Sequence, residues 1–365
     1  MNWIESAEAI GEVDDLLASA GLGHGRRETL AGTWEGGERR GRIVPGKARK
    51  TASEAKSGVK KVDVVRAAGW ATYGWLRHGF SSRVGGVSSI YEGGDGGRSL
   101  RGSLNLGWTK EDEAANVAEN RRRFVREVAG GSVAKLITLR QIHSGLIRVI
   151  EAGDGALAGR LETPQGRAVL RGDAMMTDVP GVLLGVQVAD CVPVLVADVR
   201  RKAVAAFHAG WRGTLKRIVE RGIGTMRLRY GSRPEDLIAV VGPAIGPCCY
   251  SVGEEVRFEF ESQFAYASEL FSEVYDSDPV RDKYPLLFLT ARAPGHSNIG
   301  PQIHLDLWEA NRRQLLDAGL KAKRITVVGE CTACARVKGG GLKYFSHRGE
   351  SGFAGRMMGV VGVAR

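Results

Sequence analysis

The chain has 365 residues, 43% of them hydrophobic, and a formal net charge of +11. That length and apolar content allow one large domain or two smaller ones. No stretch approaches the roughly 20 apolar residues of a membrane helix, so the expected location is the cytoplasm, with no membrane partner.

Five cysteines, an odd number in a long chain, argue against a disulfide framework and for reduced thiols or metal ligands. In chain order, residues 1–66 read as an extension to the fold, largely disordered. Its start, MNWIESAEAIGEVDD, lacks the basic-then-apolar order of a secretory signal. A short amphipathic piece (Ile4 to Leu22) precedes a polar linker in which residues 26–66 carry 12 Lys/Arg against 5 Asp/Glu. Such a charge run is a solvated tail by default, which argues against nucleic acid as a partner.

The compact domain is expected over 67–365. The segment HGFSSRVGGVSSIYEGGDGGRSLRGSLNLGW, rich in Gly and Ser, reads as short strands and functional loops. Glu111 to Val128 has helical spacing, with Val117, Phe124, Val125 and Val128 on one face. His143 stands in LRQIHSGLIRVI, at the start of an alternation that reads as a strand. Residues 151–172 and 273–302 read as surface excursions. Val192 to Ala197 and Ala203 to Phe207 are β-branched-rich runs joined by a charged turn, predicted as paired strands. Cys191 and His208 thereby fall at strand ends, and His208 leads through Ala-Gly-Trp-Arg-Gly-Thr into a helical stretch, Leu215 to Arg229.

The chemistry concentrates there. Cys191 and His208 with His143 make a set of two imidazoles and a thiolate that suits zinc and leaves a fourth tetrahedral position open. The same pair equally describes a cysteine hydrolase, with Cys191 the nucleophile, His208 its base and Asp190 or Asp173 orienting the base. A buried structural cysteine beside an unrelated histidine is the third reading. Cys331-Thr-Ala-Cys334 is a CxxC without a second CxxC, and the adjacent Cys248 and Cys249 do not easily chelate one ion. These four are read as structural.

The motifs HGFSSRVGGVS, SLNLGW, ENRRRF, LRQIHSG, GDAMMTD, VADCVPVLVAD, AAFHAGWRGT, VGPAIGPCCYSVG, HLDLWEANRRQLLDAGL and GECTACA follow one another in consecutive order, within a resemblance that covers about residues 76 to 364. They resemble the bacterial family once called multicopper polyphenol oxidases or laccase-domain proteins, whose members are described as purine nucleoside phosphorylases with adenosine deaminase activity. The resemblance implies an α+β fold of mixed β-sheets packed with flanking helices in a single large catalytic domain, which the mingled strand and helix signals permit. It implies a metal on His143, Cys191 and His208, with zinc expected and copper able to occupy the same donors. The implied substrates are purine nucleosides and phosphate: inosine, adenosine and, as a further substrate, methylthioadenosine, cleaved to free base and ribose 1-phosphate.

Cys191, His208 and Asp190 are then the catalytic candidates. Arg83 in SSRVGG, Asn105 in SLNLGW and Arg212 in HAGWRG are the substrate- and phosphate-binding ones, with Arg348 or Arg356 as further arginines near the C-terminus. The C-terminal loop departs from the family's usual tyrosine and paired arginines, reading Phe345-Ser346-His347-Arg348. A four-copper oxidase, the older family label, needs a histidine-rich cluster with His-x-His motifs, whereas this chain has 7 scattered histidines and no such motif.

Overall fold

A computed structural model of the chain describes residues 61–91, 102–131, 134–153, 162–163, 166–274 and 302–365. All of them fall within one compact unit, Ser57–Arg365. Residues 1–60, including the amphipathic piece, most of the stretch 273–302 and part of 151–172 lie outside the described residues.

The first strands are β1 (Val64–Val65), β2 (Leu76–Ser81), β3 (Val84–Ser88), β4 (Lys135–Thr138) and β5 (Ile147–Val149). Then come β6 (Ala174–Thr177), β7 (Val182–Val188), β8 (Val192–Asp198), β9 (Val204–Ala209) and β10 (Leu237–Val241). The last are β11 (Ser251–Val252), β12 (Phe271–Val274), β13 (Gln302–Leu305), β14 (Ile325–Val327) and β15 (Met357–Val363). Five α-helices accompany them among the described residues: α1 (Ala114–Ala129), α2 (Trp211–Leu215), α3 (Ile218–Tyr230), α4 (Glu254–Gln263) and α5 (Leu307–Asp317).

One sheet has the order β1-β2-β15-β7-β4 and a second β14-β10-β8-β9-β6-β5, while β11-β13-β12 form a small third. Both large sheets are mixed: β4 runs parallel to β7, and β10 parallel to β14, among otherwise largely antiparallel pairs. The expected α+β class with mixed sheets is the observed one.

The burial pattern explains the continuous apolar runs. Leu195, Ala197, Val204 and Ala206 point from the second sheet into a core shared with Phe80, Leu184, Val186 and Val361 of the first. Their neighbours Val194, Val196, Ala205 and Phe207 point the other way, against Ile218, Val219, Ile223 and Met226 of α3 and Leu315 of α5. A strand buried on both faces has no polar side to show, so β8 and β9 read as unbroken hydrophobic sequence. On the far side of the first sheet, Phe124 and Val128 of α1 cover Leu183, Met358 and Val360. Helix α1 starts three residues later than its spacing suggests and stops at Gly130, which adopts the left-handed conformation (φ 64°) that ends helices readily.

The expected helix Leu215 to Arg229 is observed as α3 (Ile218–Tyr230), while Leu215 itself closes the short α2 (Trp211–Leu215) before it. Arg217 sits between them with φ 53°. Its guanidinium bonds Glu220 and the carbonyl of Gln263 and lies over the Phe264 ring, contacts that hold a conformation costly for a side chain with a Cβ. Behind the break, a Cβ at Gly222 would fall inside the Phe207 ring. Alanine at this helical position gains about 1 kcal/mol of intrinsic propensity, but overpacking a filled core costs about 1–3 kcal/mol. Gly222→Ala is therefore expected to lower the melting temperature by a few degrees, read by calorimetry.

His78 on β2 accepts a hydrogen bond at Nε2 from the backbone N–H of Ala67 (3.0 Å). Burial, with Arg66 nearby, lowers its pKa to about 4. The unfolded chain then takes up this proton first, near pH 6.5. Stability is full above that value and falls as the pH drops toward 4, by up to about 3 kcal/mol. In His78→Gln, whose amide oxygen keeps the Ala67 bond, the difference in denaturant stability between pH 7 and pH 4 is expected to shrink by a similar amount.

Candidate active site

Cys191 precedes β8 and His208 lies near the end of β9. The register Val192↔Ala209 and Pro193↔His208 sets them side by side at one end of the two central strands of the second sheet. His143 arrives from the loop between β4 and β5 with φ 55°. Its Nε2 lies 3.9 Å from Cys191 Sγ, and its ring stands edge-on to that of His208 with centroids 4.9 Å apart. The donor atoms of the three all lie within 4.8 Å of one another. Two imidazoles and a thiolate at this spacing are a donor set for zinc or copper.

What holds the trio is Asp173, fully buried just before β6. Its Oδ1 accepts from His208 Nδ1 (2.9 Å) and from the backbone N–H of His143 (3.0 Å). Its Oδ2 accepts from the N–H and the hydroxyl of Ser144 (2.6 and 2.7 Å). Burial alone would raise this carboxyl, but the bonds from His208 and Ser144 outweigh it and hold it at about 2. One carboxylate thus fixes the His143 loop and the His208 tautomer together, leaving Nε2 of His208 for the centre of the trio.

Burial also opposes charge on Cys191 and His208, yet each favours the charge of the other. The thiol is lowered to about 6 by His208 and His143, and the imidazole is raised to about 9 by Cys191 and Asp173. Gly210 closes the set. A Cβ there would lie 2.8 Å from Cys191 Sγ and 3.3 Å from His143 Cδ2, so only glycine lets the chain turn past the trio into α2.

Asp190 is buried with φ 89°, a strained conformation for a residue with a Cβ. Its Oδ1 accepts from the Thr332 hydroxyl (2.6 Å) and its Oδ2 from the N–H of Arg348 (2.6 Å), while its carbonyl takes the N–H of Ile245 (2.9 Å). It ties three loops to the residue beside Cys191.

A cavity of about 420 Å³ opens beyond Gly210, lined by Trp211, Arg212, Tyr250, Ser251 and Arg348 among others. Arg212 stacks on Trp211, its guanidinium carbon 4.2 Å from the ring centroid. Arg348 donates to the Ser251 carbonyl (2.7 Å) and lies over Tyr250. Burial and the nearby Cys191 push the Tyr250 hydroxyl up to about 12, so it stays a neutral donor.

The other expected binding residues are bound up in the fold. Arg83 is buried against Glu350 (3.0 Å), the Tyr91 carbonyl (2.8 Å) and the Phe345 ring. Asn105, fully buried, accepts from the N–H groups of Gly107 and Arg356 and donates to Asp112. Both brace Gly-rich loops, as does Arg356, whose guanidinium caps the carbonyls of Ala354 and Gly355. Sequence reasoning gave no notice of Tyr250 or Thr332, and named Asp173 only as an alternative to Asp190. It also read Cys248, Cys249, Cys331 and Cys334 as structural, for want of a second CxxC, and their sulfurs converge within 4.8 Å.

A family model described as multi-copper polyphenol oxidoreductase laccase matches residues 77–364. The protein named purine nucleoside phosphorylase YlmD from Geobacillus stearothermophilus is 33% identical over 292 residues, covering 79% of this chain and 94% of that protein. Adenosine deaminase RL5, from an unknown prokaryotic organism, is 31% identical over 70% of this chain and 87% of its own length. The crystal structure of the Bacillus licheniformis hypothetical protein YfiH superposes with a TM-score of 0.63 at 30% identity, over 80% of this chain and 93% of that one. The laccase name sits oddly beside the site, because among the described residues the donor groups are one His/Cys/His trio and one cluster of thiols. With the family model matching residues 77–364 and relatives about a third identical over most of their lengths, the chain belongs to the multi-copper polyphenol oxidoreductase laccase family, among relatives named purine nucleoside phosphorylase and adenosine deaminase.

Proposed function

We propose that this chain is a zinc-dependent purine nucleoside phosphorylase that also deaminates adenosine. The observation that carries the reading is the convergence of His143, Cys191 and His208, oriented by Asp173, beside a cavity flanked by two arginines. The cavity's size is in the range of small-ligand sites. We assign residues 67–365 to the catalytic domain and 1–66 to an extension outside it.

In phosphorolysis the bond between C1′ and the purine nitrogen breaks, a phosphate oxygen bonds C1′, and the departing purine takes a proton. In deamination water adds at C6 and ammonia leaves. His143, Cys191 and His208 would hold the ion, which when bound would supply Lewis acidity at this end of the sheet. Arg212 and Arg348 face the anion, as guanidinium groups on phosphate oxygens give strong, oriented hydrogen bonds. Tyr250 offers a neutral O–H donor to the sugar or base. Asp190 is a positioning residue, because both of its carboxylate oxygens already accept bonds from Thr332 and Arg348.

A charge-assisted hydrogen bond is worth about 1.5–3 kcal/mol. Arg212→Ala is accordingly expected to raise the KM for phosphate about tenfold or more with a smaller change in the KM for inosine, measured in steady-state kinetics.

A metal-free cysteine hydrolase is the second reading, favoured by the mutual stabilisation of charge on Cys191 and His208. Incubating the protein with inosine and adenosine, with and without phosphate, and resolving the products by chromatography tests the choice. Phosphate-dependent hypoxanthine that disappears with a chelator supports the phosphorylase; activity indifferent to chelation but abolished by a thiol alkylator supports the hydrolase.

A further inference from the structure

The parallel pairing of β10 with β14 places two distant loops at the same end of the second sheet. Beyond β10 runs Gly246-Pro247-Cys248-Cys249, turned by bonds from the N–H groups of Cys249 and Tyr250 to the Gly246 carbonyl (both 3.0 Å). Beyond β14 comes Cys331-Thr332-Ala333-Cys334, and a separate parallel bridge joins Ala244 to Cys331. The adjacent cysteines that sequence spacing had set aside therefore meet a CxxC from across the sheet, and all four thiols are free of disulfides.

The spacing is that of one ion. Tetrahedral coordination at a metal–sulfur distance near 2.3 Å separates the sulfurs by about 3.8 Å. The Sγ atoms of Cys248 and Cys334 are 3.7 Å apart, and all four lie within 4.8 Å of one another. A disulfide brings its sulfurs to about 2.05 Å, and a polynuclear iron–sulfur cluster needs a wider cage than this. Independently of the distances, the buried sulfur of Cys331 accepts the N–H of Gly246 (3.2 Å). A backbone donor turned onto the first sulfur of a CxxC stabilises a thiolate, the form that binds metal.

We propose that Cys248, Cys249, Cys331 and Cys334 form a four-thiolate site for a single zinc-type divalent cation, separate from the His143/Cys191/His208 trio. On binding, the thiols release their protons and the ion joins the two loops, with no change of oxidation state. The joined loops carry the wall of the active site. Thr332 in the CxxC turn donates to Asp190, next to Cys191, and the Cys248-Cys249 turn runs directly into Tyr250 and Ser251 of the cavity. This centre is a clip with all positions filled by protein, whereas the trio leaves one open.

The test uses the full-length chain, reduced, stripped with a chelator, refilled with zinc and desalted, with metal counted by mass spectrometry. Cys248 and Cys334 are both exposed, so a Cys248→Ser/Cys334→Ser variant leaves the core untouched. The wild type is expected to hold two equivalents, Cys191→Ser one and Cys248→Ser/Cys334→Ser one. Cobalt in the Cys191→Ser protein is expected to give intense thiolate-to-metal charge-transfer absorption, absent when Cys248 and Cys334 are also serine. A Cys191→Ser protein that retains no zinc and shows no such absorption overturns the proposal, whatever the nucleoside assays give. Conversely, loss of the trio's metal or of nucleoside turnover leaves the count at the thiol cluster unaffected, so the two readings fail separately.

Discussion

Cys191→Ser is expected to lower phosphate-dependent cleavage of inosine by about 10³-fold while the chain keeps its fold. The sulfur is the one anionic donor of the trio, between two imidazoles. Serine is nearly the same size but stays a neutral alcohol near pH 7, so the ion loses both a bond and a compensating charge. Lewis-acid stabilisation is worth several kcal/mol, and about 4 kcal/mol corresponds to three orders of magnitude in rate. Cys191 lies outside the first hydrogen-bonded pair of β8 and β9, so a melting temperature within a few degrees of wild type is the expected companion result. Turnover within a few-fold of wild type would remove Cys191 from the reaction under either reading, metal ligand or nucleophile.

Asp173→Asn is expected to weaken zinc binding about 10–100-fold, the usual effect of losing the carboxylate behind a ligating histidine. The reason is acceptor count. Oδ1 takes the His208 and His143 donors and Oδ2 takes both donors of Ser144, and the N–H of Ile142 lies between the two oxygens. Whichever way an asparagine amide turns, its NH2 meets donors. A buried donor without an acceptor costs about 1–3 kcal/mol, so a loss of a few kcal/mol of stability accompanies the weaker binding. Competition against a chromophoric chelator measures the affinity. Lost stability with unchanged zinc affinity would make Asp173 a brace for the His143 loop and nothing more.

The trio was legible because the strands that carry Cys191 and His208 are adjacent in sequence and buried on both faces. Their ends announce themselves as the points where apolar runs stop at reactive side chains. Asp173 was harder to see. Its partner is 35 residues away, and its tie to His208 depends on the β6–β9 register, which periodicity does not reveal. Arg83 and Asn105 stand in Gly-rich, polar loops of the kind that hold ligands, and their polar side chains also satisfy the backbone of loops packed inside the protein. The thiol cluster was invisible because spacing within each loop says nothing about which loops lie side by side, and that is set by the parallel pairing of β10 and β14. The break at Arg217 was hidden by an apolar pattern that stays helical on both sides of it.

Among the described residues no helix is long and apolar enough to cross a membrane. The most direct test of the proposed function joins the arginine-flanked cavity to the metal. Zinc is returned stepwise to chelator-stripped protein, and hypoxanthine and ribose 1-phosphate are measured from inosine with phosphate present and absent. The expected result is equal amounts of both products, only with phosphate, rising in proportion to the zinc lost again in Cys191→Ser. Full phosphorolysis by metal-free protein, or no turnover of inosine or adenosine at any zinc content, would contradict it.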